Sequence, residues 1–323
     1  MAPLHWIVNE SAQEALIHYD AASQVENLIL HVQFQGDGRD FAWLVPVPAL
    51  PELEAAEVFL FRDCWSLTYP ISRHRRDGLG CGSEEDFGDP VPQENGVDIY
   101  NEQVVGIYQT LTLGASDAGL LADSLEAWGY LHENNRVETE AALQYYIDKA
   151  WYFVAMRVDS ASVVERESDG VWWWYGDMQP IRLSFASEEI VYPMRISAIS
   201  ALEEVPLTLY VCARHRLTFP RATTEYANRF REEELREAQL SHPYLAPFLA
   251  EDCFLTKLSA TFTPSDMDED LVLEPAGDDR EFRSIHYRSG LTDCGLLPCG
   301  LVAGGFFLTG WRRRRTALAP GPD

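Results

Sequence analysis

Two apolar runs, Leu28 to Gln35 and Phe41 to Val47, bracket the turn-like stretch Gly36-Asp37-Gly38-Arg39-Asp40. The second run, Phe41-Ala42-Trp43-Leu44-Val45-Pro46-Val47-Pro48, is aromatic and β-branched and stops at prolines. Runs of this kind around a glycine-containing loop predict a β-hairpin at the heart of a β-rich core. Pro46 has no N–H to give a ladder, so the second strand ends there or lies on an edge.

The rest of the chain extends this pattern. Ala15–Tyr19, Val104–Leu113, Trp151–Val158, Ile181–Phe185, Met194–Ile199, Leu207–Cys212 and Cys253–Phe262 read as strands, and Glu57–Trp65 reads equally as strand or helical turn. Ser116 predicts a helix cap with Asp117 in the first turn. Leu120, Leu121, Leu125 and Trp128 follow at helical spacing, and Gly129 stops the helix. Glu138–Lys149 and the charged stretch Asn228–Leu240 predict two more helices. The fold class is therefore α+β: predominantly antiparallel sheet with a helical insertion, plus a C-terminal single transmembrane or sorting-type helix. The expected domains are a β-rich lobe over residues 1–113, an α+β lobe over 114–263, an acidic linker over 264–293 and an apolar tail over 294–315.

Charge excludes one class of function. Fifty-one acidic residues against 25 basic ones give a net charge of −26. Such a surface repels nucleic-acid phosphate. Lysine occurs only as Lys149 and Lys257. The cluster Ser72-Arg73-His74-Arg75-Arg76-Asp77 reads as a solvated basic loop. Asp266-Met267-Asp268-Glu269-Asp270 begins like a calcium loop, but Leu271 and Gly277 stand where that loop needs glycine and glutamate. No metal or cofactor is expected. The six cysteines contain no Cys-x-x-Cys pair. Their spacing predicts disulfides Cys64–Cys81 and Cys212–Cys253 in an oxidising compartment.

The tail from Cys294 to Trp311 carries no charge and runs into Arg312-Arg313-Arg314-Arg315. As a helix it spans roughly 27 Å at about 1.5 Å per residue, close to the ~30 Å hydrocarbon core. Arginines after the span predict that the acidic body faces outward. The tail also resembles bacterial tripartite sorting tails, with Cys294 or Cys299 as the position for processing. The expected partners are the membrane, through this tail, and an envelope protein or glycan. The first residues, Met1 to Glu10, lack the pattern of a secretory signal, so an export signal is expected upstream, with a cytoplasmic protein as the alternative.

Three further blocks carry a resemblance: Leu28–Pro48, Trp151–Val158, and Met178–Phe185 with Tyr192–Ile199. Together they resemble the bacterial family catalogued as domain of unknown function 2330. The resemblance implies an exported or membrane-anchored protein and supplies no catalytic residues.

No Gly-x-Ser-x-Gly, His-Glu-x-x-His or phosphate-binding glycine loop occurs. Cys81, in Gly78-Leu79-Gly80-Cys81-Gly82 near His74, reads as a disulfide partner rather than a nucleophile. Trp172-Trp173-Trp174-Tyr175 is the candidate ligand-binding element. Consecutive strand residues point to opposite faces, and an exposed aromatic ring can stack on a sugar or fill a partner's groove. The sequence thus predicts a membrane-tethered envelope binding or structural module, with a hydrolase of an envelope polymer as the alternative.

Overall fold

The computed structural model describes residues 8–36, 41–70, 97–130, 136–158, 165–168, 171–177, 179–201, 203–251 and 253–283. Residues 1–286 form one compact unit. The boundary expected near Leu113 falls inside a strand of that unit.

The main sheet is built around β1 (Val8–Asp20) and β2 (Val25–Gly36), which pair antiparallel along nearly their whole length. On the far side of β1 lies β12 (Val205–Ala213), parallel to it. Then follow β15 (Phe254–Phe262), β14 (Thr223–Arg229) and the two-residue β17 (Phe282–Arg283), each antiparallel to its neighbour. On the far side of β2 lie β10 (Ile181–Ala186) and β4 (Glu52–Ala55). A second sheet has the order β3 (Phe41–Val47), β7 (Tyr152–Val158), β6 (Tyr108–Gly114), β5 (Asp98–Val105). A third, small sheet joins β11 (Ile190–Tyr192), β16 (Leu271–Pro275) and β13 (Leu217–Thr218).

The central hairpin expected from the sequence is not formed. β2 pairs with β1 and β10, whereas β3 pairs with β7 in the other sheet. Both runs are apolar because their sheets face each other across one core. Leu28 and Leu30 from β2 join Val45 and Val47 from β3, together with Val154, Met156 and Leu209. Pro46 is harmless because β3 is an edge strand.

Helices cover both outer faces. On the main sheet, Leu16, Ile29 and Leu255 pack against Leu60, Phe61 and Cys64 of α1 (Leu60–Thr68) and Ala238 of α4 (Glu232–Ser241). On the second sheet, Leu113, Phe153 and Ala155 pack against Leu121, Ala122 and Leu125 of α2 (Ala118–Ala127) and Leu143 and Tyr146 of α3 (Arg136–Asp148). The order is helix, sheet, sheet, helix. Asp117, not Ser116, caps α2: its carboxylate accepts from the Leu120 N–H at 2.9 Å.

Three local expectations are corrected. Val104–Leu113 is not one strand but the turn of the β5–β6 hairpin, reversed at Gly106-Ile107. Met194–Ile199 is not a strand; Arg195–Ile199 is a 3-10 helix. The stretch read as an acidic linker contains β16, and its Met267, Leu271 and Leu273 are buried in the main core.

Gly106 shows why the hairpin turns there. Its φ is +58°, and a Cβ at this position would lie 2.1 Å from Gln179 Oε1. Gly106→Ala is expected to cost about 1–2 kcal/mol, mainly from the left-handed backbone, since the end of the Gln179 side chain can move aside. Urea unfolding checks this; a loss under ~0.5 kcal/mol would show that the turn relaxes freely.

Candidate functional site

Trp172–Tyr175 lie on β9 (Val171–Asp177). β9 pairs with β2 from Gln33↔Asp177 to Gly36↔Trp174, beyond the Val25–Leu30 stretch of β2 that β10 covers. β8 (Glu165–Ser168) pairs only with β9 among the described residues. The β8–β9 ribbon therefore prolongs the main sheet at one end of β2. Among the described residues it finishes in an unpaired strand edge formed by Glu165, Arg166 and Glu167.

The cysteines do not form the expected bridges among the described residues. Cys64, Cys212 and Cys253 are buried free thiols. Register explains the second pair. Cys212 stands opposite Leu255, so Cys253 is a diagonal neighbour two residues away. Diagonal positions sit about 7–8 Å apart at Cα, beyond the usual disulfide span. The Cys212 thiol instead hydrogen-bonds Cys253; this bond, with burial, pushes the Cys212 pKa up, and against burial it holds that of Cys253 down. Burial likewise pushes the Cys64 thiol up. Cys81, Cys294 and Cys299 lie outside the described residues, as does the apolar tail. No helix among the described residues is long and apolar enough to cross a membrane.

One buried polar cluster is a feature the sequence reading missed. It forms where α3 ends against the segment that leads into β16. The Tyr146 hydroxyl donates to Asp270 Oδ1 at 2.7 Å and accepts from the Ile196 N–H at 3.2 Å. The Arg195 N–H also donates to Asp270 Oδ1, at 3.2 Å. Asp270 Oδ2 is buried without a hydrogen-bond partner among the described residues, and Lys149 Nζ lies 3.6 Å from it. The Asp270 side chain is 2% exposed and that of Lys149 40%.

Aromatic rings wall the cluster. Lys149 Nζ donates to Tyr145 Oη at 2.6 Å, lies 4.0 Å from that ring's centroid and 5.2 Å from the Trp151 ring. Arg195 also stacks on the Tyr145 ring, at 4.3 Å, and donates to the Asp268 carbonyl. The helix end itself is unusual: Ala150 takes φ +57°, the left-handed position that glycine normally fills after a helix. The N–H groups of Ala150 and Trp151 return to the Ile147 and Tyr146 carbonyls. Burial pushes the Asp270 carboxyl above the usual range, and burial with the Asp270 charge pushes the Tyr146 hydroxyl up. The acids of the calcium-like motif diverge. Asp266 instead pairs with Arg221 at 2.7 Å and caps a 3-10 turn through Thr263. No group of three or more His, Cys, Asp or Glu among the described residues could hold a metal.

Two other places carry polar groups. Across the outer face of the main sheet, His31 Nδ1 lies 3.2 Å from Glu14 Oε2, and the Tyr210 hydroxyl donates to Glu14 Oε1 at 3.2 Å. The other lysine, Lys257, pairs with Glu225 at 2.8 Å. Between α4 and β14 runs an open groove of about 550 Å³, lined among others by Tyr226, Asn228, Glu234, Glu237, His242 and Arg283. Burial lowers the His242 pKa and pushes that of Tyr226 up to about 12.

Two packed sheets with helices on both outer faces define an α+β protein of mixed, mainly antiparallel strands. The chain belongs to the family described as "Uncharacterized protein conserved in bacteria (DUF2330)", whose family model matches residues 5–274. No curated protein matches it. Among solved structures, the crystal structure of baculovirus P35 aligns over 88% of this chain and 99% of its own, at 10% identity and a TM-score of 0.33.

Proposed function

We propose that this chain is a binding or structural module of the bacterial cell envelope, held at the membrane by its C-terminal segment with the acidic body outside. The observation that carries the reading is the β8–β9 ribbon. It places the Trp172–Tyr175 run on a strand at the end of the main sheet, beside a strand that, among the described residues, is paired on one side only. Edges of this kind accept an extended partner, and aromatic rings stack on sugars.

Titration behaviour supports a non-catalytic reading. Among carboxyl and hydroxyl groups, the strongest upward shifts fall on Glu26, Tyr108, Tyr146 and Tyr210, all fully buried side chains. None of these four lines the groove. An enzyme concentrates such shifts where substrate can reach them.

The test is cosedimentation of the purified chain with insoluble envelope polymer from the native host, alongside fractionation of the native cells. The wild-type chain is expected to sediment with the polymer and to fractionate with membranes. Replacing Trp172 and Trp174 with alanine should weaken binding at least tenfold, as each stacked ring contributes on the order of 1 kcal/mol. Equal sedimentation of wild type and variant would remove the ribbon from the argument. Release of soluble fragments from the polymer would favour the hydrolase alternative, with the groove beside His242 as its first place to look.

A further inference from the structure

We propose that Lys149 and Asp270 condense in the folded protein into an intramolecular isopeptide bond, joining the end of α3 to the segment that leads into β16. The cluster has each part such a reaction needs. The nucleophile is one of only two lysines in the chain, and its Nζ lies 3.6 Å from Asp270 Oδ2. The other lysine, Lys257, is 13% exposed and pairs at 2.8 Å with Glu225, whose side chain is 38% exposed and so lacks the burial of Asp270.

The two oxygens of Asp270 are treated differently. Oδ1 takes two donors, the Tyr146 hydroxyl and the Arg195 N–H. That is the arrangement that stabilises negative charge developing on a carbonyl oxygen during attack. Oδ2, the atom on the lysine side, has no hydrogen bond among the described residues and is the one free to leave. Burial raises the Asp270 pKa, which favours the protonated carboxyl, the form that amine attack requires. The packing of Nζ beside Tyr145 and Trp151 fixes its direction of approach, which replaces a chance encounter with a held one.

The step balances without any other reagent. Nζ attacks Cγ, the Nζ–Cγ bond forms and the Cγ–Oδ2 bond breaks. Oδ2 leaves as water with the acid's own proton and one proton from the amine. The proton that the ammonium must shed first passes to Asp270 Oδ2, 3.6 Å from Nζ, which leaves the neutral amine beside the protonated acid. A secondary amide remains, with Oδ1 still held by Tyr146 and Arg195.

The experiment is intact mass measurement of the full chain, aged after purification, followed by tryptic mapping. The wild-type chain is expected to be lighter than its sequence mass by one water. Trypsin should fail to cut after Lys149 and should yield a branched peptide in which Val137–Arg157 is joined to Leu258–Arg280. Lys149→Arg keeps the positive charge beside the rings and is expected to show the full sequence mass. In Asp270→Asn the leaving group becomes ammonia, and the product converges on the wild-type mass. Tyr146→Phe removes one of the two Oδ1 donors and should slow the mass loss after refolding by about a hundredfold. Full sequence mass in the aged, folded wild type overturns the proposal. So does a water loss that persists in Lys149→Arg, which would place the dehydration elsewhere. Neither result depends on envelope binding.

Discussion

Replacing Glu26 with glutamine should change the pH dependence of stability more than any other single substitution in this chain. Glu26 sits on β2 between Tyr19 and Phe185, fully buried. Oε2 accepts the Val191 N–H at 3.0 Å, and Oε1 has no partner among the described residues. Burial pushes its pKa up to about 8, from an ordinary value of 4.5. Between those values the folded state keeps a proton that the unfolded state has released. Stability from this group is therefore full below pH 4.5 and is lost as pH rises toward 8.

The loss between pH 5 and 8 is on the order of 4 kcal/mol. Two histidines oppose it, because burial lowers the pKa of His18 and His242 and their effect runs the other way near neutral pH. The difference between wild type and Glu26→Gln cancels those terms. At pH 5 the glutamine variant is expected to be less stable by about 1–3 kcal/mol, since its amide N–H groups meet the place where Oε1 lacks a partner. Above pH 8 it should be the more stable of the two. Urea midpoints measured from pH 5 to 9 should cross; parallel curves would mean that Glu26 ionises freely in the folded state.

Much of the sheet was legible because one wet or helix-covered face and one core face impose alternation. Arg182 and Ser184 alternate with Ile181, Leu183 and Phe185 in β10, and the structure keeps that phase. What alternation does not carry is the partner. Leu28–Gln35 and Phe41–Val47 look like two halves of a hairpin, yet each serves a different sheet across a shared core. Composition misled at Met194–Ile199, where a β-rich hexapeptide wraps into a 3-10 helix whose N–H groups bind Asp270 and Tyr146. Gly106 was the readable signal for the hairpin hidden in Val104–Leu113.

The Lys149–Asp270 cluster was harder to find. Its members come from α3, the 3-10 helix and the approach to β16, far apart in the chain. Charge density made Asp266–Asp270 look solvated. The apolar alternation Leu271-Val272-Leu273, with Leu271 and Leu273 buried and Val272 exposed, was the signal that this stretch enters the core. Lysine scarcity was the other signal, but it marks a position only once a buried acid stands beside it.

The largest loss of stability is expected from Phe153→Ala. Phe153 is fully buried on β7, one of the two inner strands of the second sheet. Alternation along β7 sends Val154 and Met156 into the core between the sheets, and Phe153 and Ala155 toward α2 and α3. The Phe153 ring meets Tyr146 edge-on at 6.2 Å. Truncation removes the ring's burial and leaves a cavity that a flanking helix pair cannot fill without shifting Tyr146. The expected cost is about 3–5 kcal/mol. Trp65→Ala makes the contrast: that ring is 53% exposed on α1, and its loss should cost less than ~1 kcal/mol. Both are measured by urea unfolding at one pH. A Phe153→Ala cost near that of Trp65→Ala would mean that the helix pair does not pack on the second sheet as one cooperative layer. It would also remove the support that holds the Tyr146 hydroxyl on Asp270, because that hydroxyl is placed by a ring wedged between Phe153 and Trp151.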